Sequence, residues 1–422
     1  MNIIEELTWR DAINQQTDEE GLQKLVEEKS IALYCGIDPT GDSMHIGHLI
    51  PFMILKRFQL AGHQPVVLIG GGTGSIGDPS GRTSERQLQT MVQIQANADK
   101  LSAQMRKLFD AGEKGSGIRL INNIEWLGDL KFLDFLREYG KEFNINTMLA
   151  KDVVASRLDT GISFTEFSYQ IIQSIDFLHL HREHGVQLQV GGSDQWGNIT
   201  AGLDLIRKKE GAEAKAYGLT IPLLLKADGT KFGKTADGAV WLDPEKTTPY
   251  EFYQFWYNQD DRDIDKYLKY FTFLSQDEIS ELRELTEKEP HKRAAQKALA
   301  EEMTRFVHDQ DALDEAIQIS EALFSGNVQN LTADQIEMSF KDVPASKAAR
   351  VETDIVSFLV DVTGISPSRR QAREDVKNGA VYLKGERITD LDHTVTEADS
   401  YEGRFVLVRR GKKRYFMVHL ED

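Results

Sequence analysis

His45 and His48 stand three residues apart around Gly47 in the stretch DPTGDSMHIGHLIPF, residues 38–52. The preceding run, IALYCGI, reads as a buried strand, and PTGDS is turn chemistry in which Asp42 or Ser43 can cap a following helix. Free N–H groups and the positive end of the dipole make a helix start an anion site. The two imidazoles share one face of that first turn, while Gly47 leaves room for something flat. A second basic element, KFGKT at 231–235, places Lys231, Lys234 and Thr235 on a glycine-flanked loop that could close over a polyphosphate chain. Alone, that lysine pair is an ordinary solvated loop. Beside the histidine turn it reads as the other half of a clamp.

Further polar residues fall where a pocket would need them. Tyr169, Gln173 and Asp176 lie at i, i+4 and i+7 of FSYQIIQSIDFLHL, one stripe of a helix. A polar stripe ordinarily faces water, but Ile171, Ile172, Ile175, Phe177 and Leu178 leave little of this helix polar. A buried polar line must find partners, as in a site built to hydrogen-bond a ligand. In VGGSDQWGN, Gly191 and Gly192 allow close backbone approach, and Asp194 can accept from a sugar's hydroxyl pair where a strand ends. Two glycine motifs fail their tests. GTGSIG, residues 72–77, matches the dinucleotide fingerprint but is followed by Asp78, Pro79, Ser80 and Gly81 rather than by a helix. DGTKFGKT has aspartate at 228 where a phosphate-binding loop requires glycine.

These residues need a scaffold. Up to about residue 220, strand-like runs alternate with helical ones, which predicts an α/β fold with a parallel sheet covered by helices. Residues 221–247 are rich in Gly, Lys and Asp and read as a connector, and 248–325 turns helical. Residues 326–352 read as a polar linker. The last block, 353–422, combines a helix stopped by Gly364, a second helix with Ser366 and Pro367 as cap and first turn, and a closing hairpin. The chain has 422 residues and a formal charge of −17, which argues against a wholesale nucleic-acid coat and leaves a local basic surface open. No apolar run is long enough for a membrane span, the acidic N-terminus lacks a secretory pattern, and the lone Cys35 permits no internal disulfide. The expectation is a cytoplasmic protein.

Together these residues resemble the class I aminoacyl-tRNA synthetases, and among them the bacterial tyrosyl-tRNA synthetase family. HIGH at 45–48 is the family's first signature letter for letter. KFGKT is similar to the second, usually Lys-Met-Ser-Lys-Ser; Phe232, Gly233 and Thr235 depart from it and both lysines remain. The resemblance spans the whole chain. It implies a Rossmann-like catalytic domain over 1–220, the connector 221–247 carrying the signature loop, and an α-helical anticodon-side domain over 248–325. Past the linker 326–352 it implies a small α+β RNA-binding domain of the S-four ribosomal type over 353–422. The implied reaction is activation of L-tyrosine by ATP to tyrosyl-adenylate and pyrophosphate, followed by transfer to the 3′ end of tRNA(Tyr). Mg²⁺ would accompany ATP, with no protein-held metal and no membrane, and the protein would be a homodimer joined through the catalytic domain.

The resemblance also implies roles. Tyr34 and Asp176 would bind the phenol, Asp78, Tyr169 and Gln173 the amino group, and Gln195 would lie near the carboxylate. His45, Gly47, His48, Gly192, Lys231 and Lys234 would carry ATP, with Asp194 on its ribose, and the signature histidines, lysines and Thr235 would act in catalysis. Arg82 and Arg86 are candidates for pyrophosphate or the acceptor end of tRNA. The substrate carboxylate is ionised at neutral pH, so no general base is needed; the work is alignment and stabilisation of phosphate charge. In the tail, Arg369, Arg373 and Lys377 share a helical face beside Arg370, and Arg409, Arg410, Lys412, Lys413 and Arg414 crowd a hairpin tip. A charge run is usually a solvated face, but two basic clusters in one small block favour RNA phosphate contact. A tryptophan-specific relative or another adenylate-forming enzyme would keep the fold, and the Tyr34–Asp176 pair weighs against it. An RNA-binding paralogue without catalysis would have no use for both histidines and both lysines.

Overall fold

The apolar runs pair into one six-stranded sheet: β1 (Gln15–Gln16), β2 (Ala32–Ile37), β3 (Gln64–Ile69), β4 (Arg119–Asn122), β5 (Val186–Gly192) and β6 (Tyr217–Ile221), in spatial order β1-β6-β5-β2-β3-β4. The five longer strands are parallel and β1 runs antiparallel along β6. Their near-continuous apolar character is what strands covered on both faces require. The structure is a computed structural model that describes residues 2–80, 87–110, 117–230, 232–235, 238–341, 343–350, 352–411 and 414–421, with backbone alone at 234 and 235. The chain winds outward from β2 to β3 and β4, then returns to the other side of β2 for β5 and β6. Such a reversal opens a crevice at the C-terminal ends of the two strands beside it, here β2 and β5.

Helices α1 (Ile46–Leu60), α2 (Met91–Asp110), α3 (Phe164–His184) and α4 (Trp196–Glu210) belong to the same unit. The Ser163 side chain accepts from the Glu166 N–H to start α3, and Gly185, in the left-handed region at φ +65°, ends it. Ile171, Ile175 and Phe177 of α3 join Tyr34, Val66 and Leu68 of the sheet and Ile199 and Leu203 of α4 in one core.

α1 is not capped by Asp42 or Ser43. His45 is the cap: its Nδ1 accepts from the Gly47 N–H at 3.1 Å, and the His48 Nδ1 accepts from the His45 N–H at 3.1 Å. The reason lies in the backbone just before the helix. Ile46 donates to the Val240 carbonyl and Leu242 to the Met44 carbonyl, both at 2.9 Å, so His45, bridged to Trp241, stays extended just before the helix. Asp42 is meanwhile paired with Lys246 at 2.8 Å. At its far end α1 is tied by Arg57, whose guanidinium donates to the carbonyls of Tyr270 at 3.1 Å and Thr272 at 2.6 Å. Helix ends leave such carbonyls without partners, and two arginines supply donors: Arg10 reaches the Leu274 carbonyl at 2.8 Å. Glu6, 2.9 Å from Arg10 and 3.4 Å from Arg57, offsets the buried charge.

The helical run 248–325 forms α5 (Pro249–Tyr257), α6 (Asp261–Phe271), α7 (Gln276–Lys288), α8 (Ala294–Val307) and α9 (Gln310–Ser325). It does not gather into one body. Residues 1–247 and 255–307 make one compact unit, and 248–254 with 308–422 make the other. α6 packs on α8 and α1, whereas Ile319 and Ala322 of α9 pack on Phe405, Leu407 and Met417 of the tail.

The second unit holds a five-stranded sheet of β7 (Ala345–Ala349), β8 (Val381–Leu383), β9 (Glu386–Ile388), β10 (Phe405–Arg410) and β11 (Arg414–Glu421), in order β9-β8-β10-β11-β7. The stretch 326–352, read from its polarity as a linker, carries the helix Ala333–Ser339 and β7. Its few apolar residues explain this, since Val328, Leu331, Ile336 and Phe340 are buried with Phe405 and Leu407. Ser368, not Ser366, caps α10 (Arg369–Lys377) by accepting from the Gln371 N–H. Ser366 is buried and its N–H is bound to the Leu359 carbonyl at 2.8 Å, which holds it in the preceding bend.

Candidate active site

The crevice between β2 and β5 deepens into a cavity of about 380 Å³. Tyr34, Tyr169, Gln173 and Asp176 line it, together with Asp78, Gly192, Asp194 and Gln195. Gly47 and His48 also line it. Residues far apart in sequence converge here because the parallel strands β2, β3, β5 and β6 end at the same edge of the sheet, where Asp38, Gly70, Ser193 and Pro222 follow them.

The Tyr34 side chain is 1% exposed, and its hydroxyl has no hydrogen-bond partner among the described residues. Its ring leans on Phe177, centroids 5.3 Å apart. Asp176 is equally buried; its Oδ1 accepts from the Trp126 indole N–H and its Oδ2 from the Asn123 amide, both at 2.9 Å. Burial pushes the Asp176 carboxyl up to about 8, against the pull of those two donors, with Asp38 adding to the rise. Burial, then Asp176 and Cys35, raises the Tyr34 phenol well above its ordinary range. Tyr34 is therefore a neutral hydroxyl able to donate and accept, beside a carboxyl with spare acceptor capacity. An incoming phenol can donate to Asp176 and accept from Tyr34.

A second network surrounds the middle of the cavity. Tyr169 donates to Asp38 Oδ2 at 2.9 Å, Thr73 to Asp38 Oδ1 at 2.6 Å, and Asn123 to the Thr73 hydroxyl at 2.9 Å. Gln195 donates to Asp78 Oδ2 at 2.8 Å, Gln173 to the Gln195 oxygen at 3.2 Å, and Asn198 to the Gln173 oxygen at 3.1 Å. The carboxylates of Asp38 and Asp78, with the Gln173 oxygen, line one space and suit an ammonium group. Gly70 permits this closeness: a Cβ there would lie 2.0 Å from Asp38 Oδ1. The GTGSIG run itself holds a single 3-10 turn, Thr73–Ser75, and residues 77–80 do not open the helix that a dinucleotide fingerprint requires.

At the mouth the His45 and His48 rings stack, centroids 3.9 Å apart, and His45 meets Trp241 edge-on at 5.9 Å. The second signature comes to the same place. Gly233 has φ +94°, in the left-handed region, and a Cβ on it would lie 3.5 Å from the Gly47 nitrogen. Phe232, 7% exposed, is lodged among aromatic rings, with centroids between 4.9 Å from Tyr267 and 6.0 Å from Phe255. The Phe and Gly that depart from the usual wording therefore anchor the loop and let it lie against the histidine turn. Lys231, Arg82, Arg86, Lys412 and Lys413 lie outside the described residues, as do the side chains of Lys234 and Thr235.

In the second unit, Arg370, Arg373, Lys377 and Arg414 are exposed. Arg369 is paired with Asp361, Arg410 with Asp375 at 2.7 Å, and Arg409 lies over the Tyr382 ring at 3.7 Å. Sequence reasoning missed Asp38, Thr73, Asn123, Trp126 and Asn198. A signal existed for three of them, since Asp38, Thr73 and Asn123 are polar residues just past the ends of β2, β3 and β4.

The family described as tRNA synthetases class I (W and Y) matches residues 26–325, and the Tyrosine–tRNA ligase SYY-like C-terminal domain matches 335–418. Similar curated proteins include Tyrosine–tRNA ligase 2 of Bacillus cereus, 66% identical over 420 residues, and Tyrosine–tRNA ligase 1 of Enterococcus faecalis, 66% identical over 422 residues, each alignment covering 100% of both chains. Among solved structures, a C-terminally truncated mitochondrial tyrosyl-tRNA synthetase of Aspergillus nidulans is similar with TM-score 0.68 and 33% identity, over 76% of this chain and 94% of that one.

Proposed function

The chain belongs to the tyrosine–tRNA ligases of class I, and from that premise we propose how its residues divide the work. The reaction of such a ligase is activation of L-tyrosine by ATP to tyrosyl-adenylate and pyrophosphate, then transfer of tyrosine to tRNA(Tyr). Tyr34 and Asp176 receive the substrate phenol at the closed end. Asp78, Tyr169 and Gln173 hold the ammonium group, and Gln195 sets the carboxylate toward the mouth. The α-phosphate of ATP meets the start of α1, where His45 and His48 stabilise charge as the carboxylate oxygen attacks and pyrophosphate leaves. Gly47 and Gly192 admit the nucleotide closely, Asp194 accepts from its ribose, and Lys231, Lys234 and Thr235 close over the outer phosphates. Arg82 and Arg86 are assigned to pyrophosphate or the acceptor end of tRNA. The observation that carries this reading is the buried Tyr34 hydroxyl beside Asp176 in the same cavity that His48 and Gly47 enter.

Imidazoles and lysines are anion partners rather than oxygen ligands for a hard cation. Among the described residues no group of three or more His, Cys, Asp or Glu is placed to hold a metal ion. Mg²⁺ is therefore assigned to the triphosphate, which it would bring in partly neutralised.

The exposed cations Arg370, Arg373, Lys377 and Arg414, with Arg369, Arg409, Arg410, Lys412 and Lys413, are assigned to tRNA phosphates in an RNA-binding tail over 353–422. A homodimer is supported by large apolar side chains left exposed in the catalytic unit, among them Phe132 at 66%, Leu133 at 74% and Phe164 at 68%. Leu133→Asp is expected to shift the sedimentation mass from dimer to monomer. A cytoplasmic location is supported by the single, buried Cys35; among the described residues no helix is long and apolar enough to cross a membrane.

Exchange of labelled pyrophosphate into ATP tests the reading. Exchange dependent on tyrosine is expected. Dependence on tryptophan instead, or on no amino acid, would refute the assignment of the pocket.

A further inference from the structure

Trp126 sits on a four-residue helix, Ile124–Leu127, and its indole N–H is one of the two donors to Asp176. A helix so short fixes a side chain poorly by itself, so the indole must be held by what it touches. Its edge is held by Asp176, 2.9 Å away. Its face lies on the His179 imidazole, with centroids 4.1 Å apart and planes 18° from parallel. Asp176 and His179 are three residues apart on α3, hence neighbours on one helix face. One helix thus grips a single indole twice, at the edge with a carboxylate and at the face with an imidazole. Burial, then His184, lowers the His179 pKa, opposed by Glu183 and Glu125 and helped by Arg182, so a neutral ring stacks at physiological pH. Neither His179 nor Trp126 lines the cavity.

We propose that His179 is a positioning residue for tyrosine selection, which holds the plane of Trp126 so that the indole N–H stays on Asp176 and Asp176 stays aimed at the substrate phenol. The inference rests on the reading that Asp176 receives that phenol. It makes a demand that simple core filling does not. Phenylalanine lacks the hydroxyl, so a loosened Asp176 should matter for tyrosine and not for phenylalanine.

The experiment compares pyrophosphate exchange with tyrosine and with phenylalanine in the wild type, His179→Ala, His179→Phe and Asp176→Asn. His179→Ala is expected to lower kcat/KM for tyrosine about 5- to 30-fold, mainly through KM, as when a buried hydrogen bond is loosened. Its kcat/KM for phenylalanine should stay within about twofold, and His179→Phe, which keeps an aromatic plate, should restore the tyrosine value to within about threefold. Equal losses for both amino acids, no loss for tyrosine, or no rescue by phenylalanine at 179 would each overturn the inference. Thermal unfolding is recorded for every variant, and His179→Gln, which removes the plate but keeps a polar side chain of similar length, is read by the same ratio should the alanine variant fail to fold. If Asp176→Asn leaves the ratio of the two substrates unchanged, the phenol assignment itself fails; a ratio that responds to Asp176→Asn and not to position 179 overturns the present inference alone.

Discussion

Tyr34→Phe separates what the tyrosine hydroxyl does for the ligand from what the ring does for the fold. The ring is 1% exposed and leans on Phe177 at 5.3 Å, and phenylalanine keeps that contact. The hydroxyl makes no hydrogen bond to any described residue, so the substitution breaks none among them. With no such bond lost, the melting temperature should move by no more than about 1–2 °C, the equivalent of about 1 kcal/mol at the unfolding entropy expected for 422 residues. With tyrosine bound, one neutral hydrogen bond is removed, worth about 0.5–1.5 kcal/mol. That converts to about a 2- to 12-fold loss in kcat/KM for tyrosine. Phenylalanine never makes this bond, so its kcat/KM should hold or rise, and discrimination should shrink by the same factor. The logic is that a site expecting a hydroxyl leaves buried groups unpaired when it is missing, a rule for which a tyrosyl-tRNA synthetase is itself the standard illustration. Pyrophosphate exchange with each amino acid, beside thermal unfolding without ligand, supplies all the quantities. A drop of more than about 10 °C in the free protein would refute the reasoning, because it would mean that the hydroxyl holds the fold. Equal losses for tyrosine and phenylalanine would refute it from the other side.

Burial lifts Asp176 from its ordinary 3.8 to about 8, so the free protein binds its proton more tightly than the unfolded chain does. Stability from that neutral carboxyl is full below about pH 3.8 and is lost as pH rises through about 8. If the ionised form accepts the phenol, kcat/KM for tyrosine should climb as pH rises through about 8 and level off only above it, and Asp176→Asn should show no such climb; a flat wild-type profile across that range would contradict it. His45→Ala should slow adenylate formation in single-turnover experiments by about 10- to 1000-fold, as loss of one group stabilising transition-state charge does, with tyrosine affinity nearly unchanged. An equal fall in affinity would remove the histidine from its assigned role. Phe232→Ala deletes an aromatic anchor whose burial is worth about 3–5 kcal/mol, so the KM for ATP should rise at least tenfold with the KM for tyrosine unmoved, and unchanged ATP kinetics would show that the loop needs no anchor. Replacing Arg370, Arg373 and Lys377 together by Glu should leave exchange intact, weaken tRNA charging and reduce the salt dependence of tRNA binding by about three phosphate contacts. Unchanged charging would move the RNA site elsewhere.

The strands and the paired signatures were legible because they rest on local pattern. Continuous apolar runs such as PVVLI, too short for a helix, read as strands covered on both faces, and the i, i+4, i+7 spacing puts Tyr169, Gln173 and Asp176 on one side of α3. What sequence reading missed depends on contacts between distant segments. His45 became the cap of α1 because residues 240–242 hold the preceding backbone extended, and nothing near position 45 records that. The polar stretch 326–352 looked like a linker because its composition is dominated by exposed residues, yet a handful of apolar side chains suffices to bind it to the tail's core. The helical block was likewise read as one domain, since periodicity shows that a helix has an apolar face but not which partner covers it. Trp126 gave no signal at all. Its role exists only because a carboxylate from α3 meets its indole N–H.

The account's central claim is one of orientation: substrate phenol between Tyr34 and Asp176, phosphate at the histidine-bearing start of α1. A crystal structure of the protein with bound tyrosyl-adenylate measures this directly. The account predicts the phenolic oxygen within hydrogen-bond distance of both side chains and the phosphate beside His45 and His48. A ligand bound the other way round, with its phosphate at Asp176 or its aromatic ring at the mouth, would contradict it.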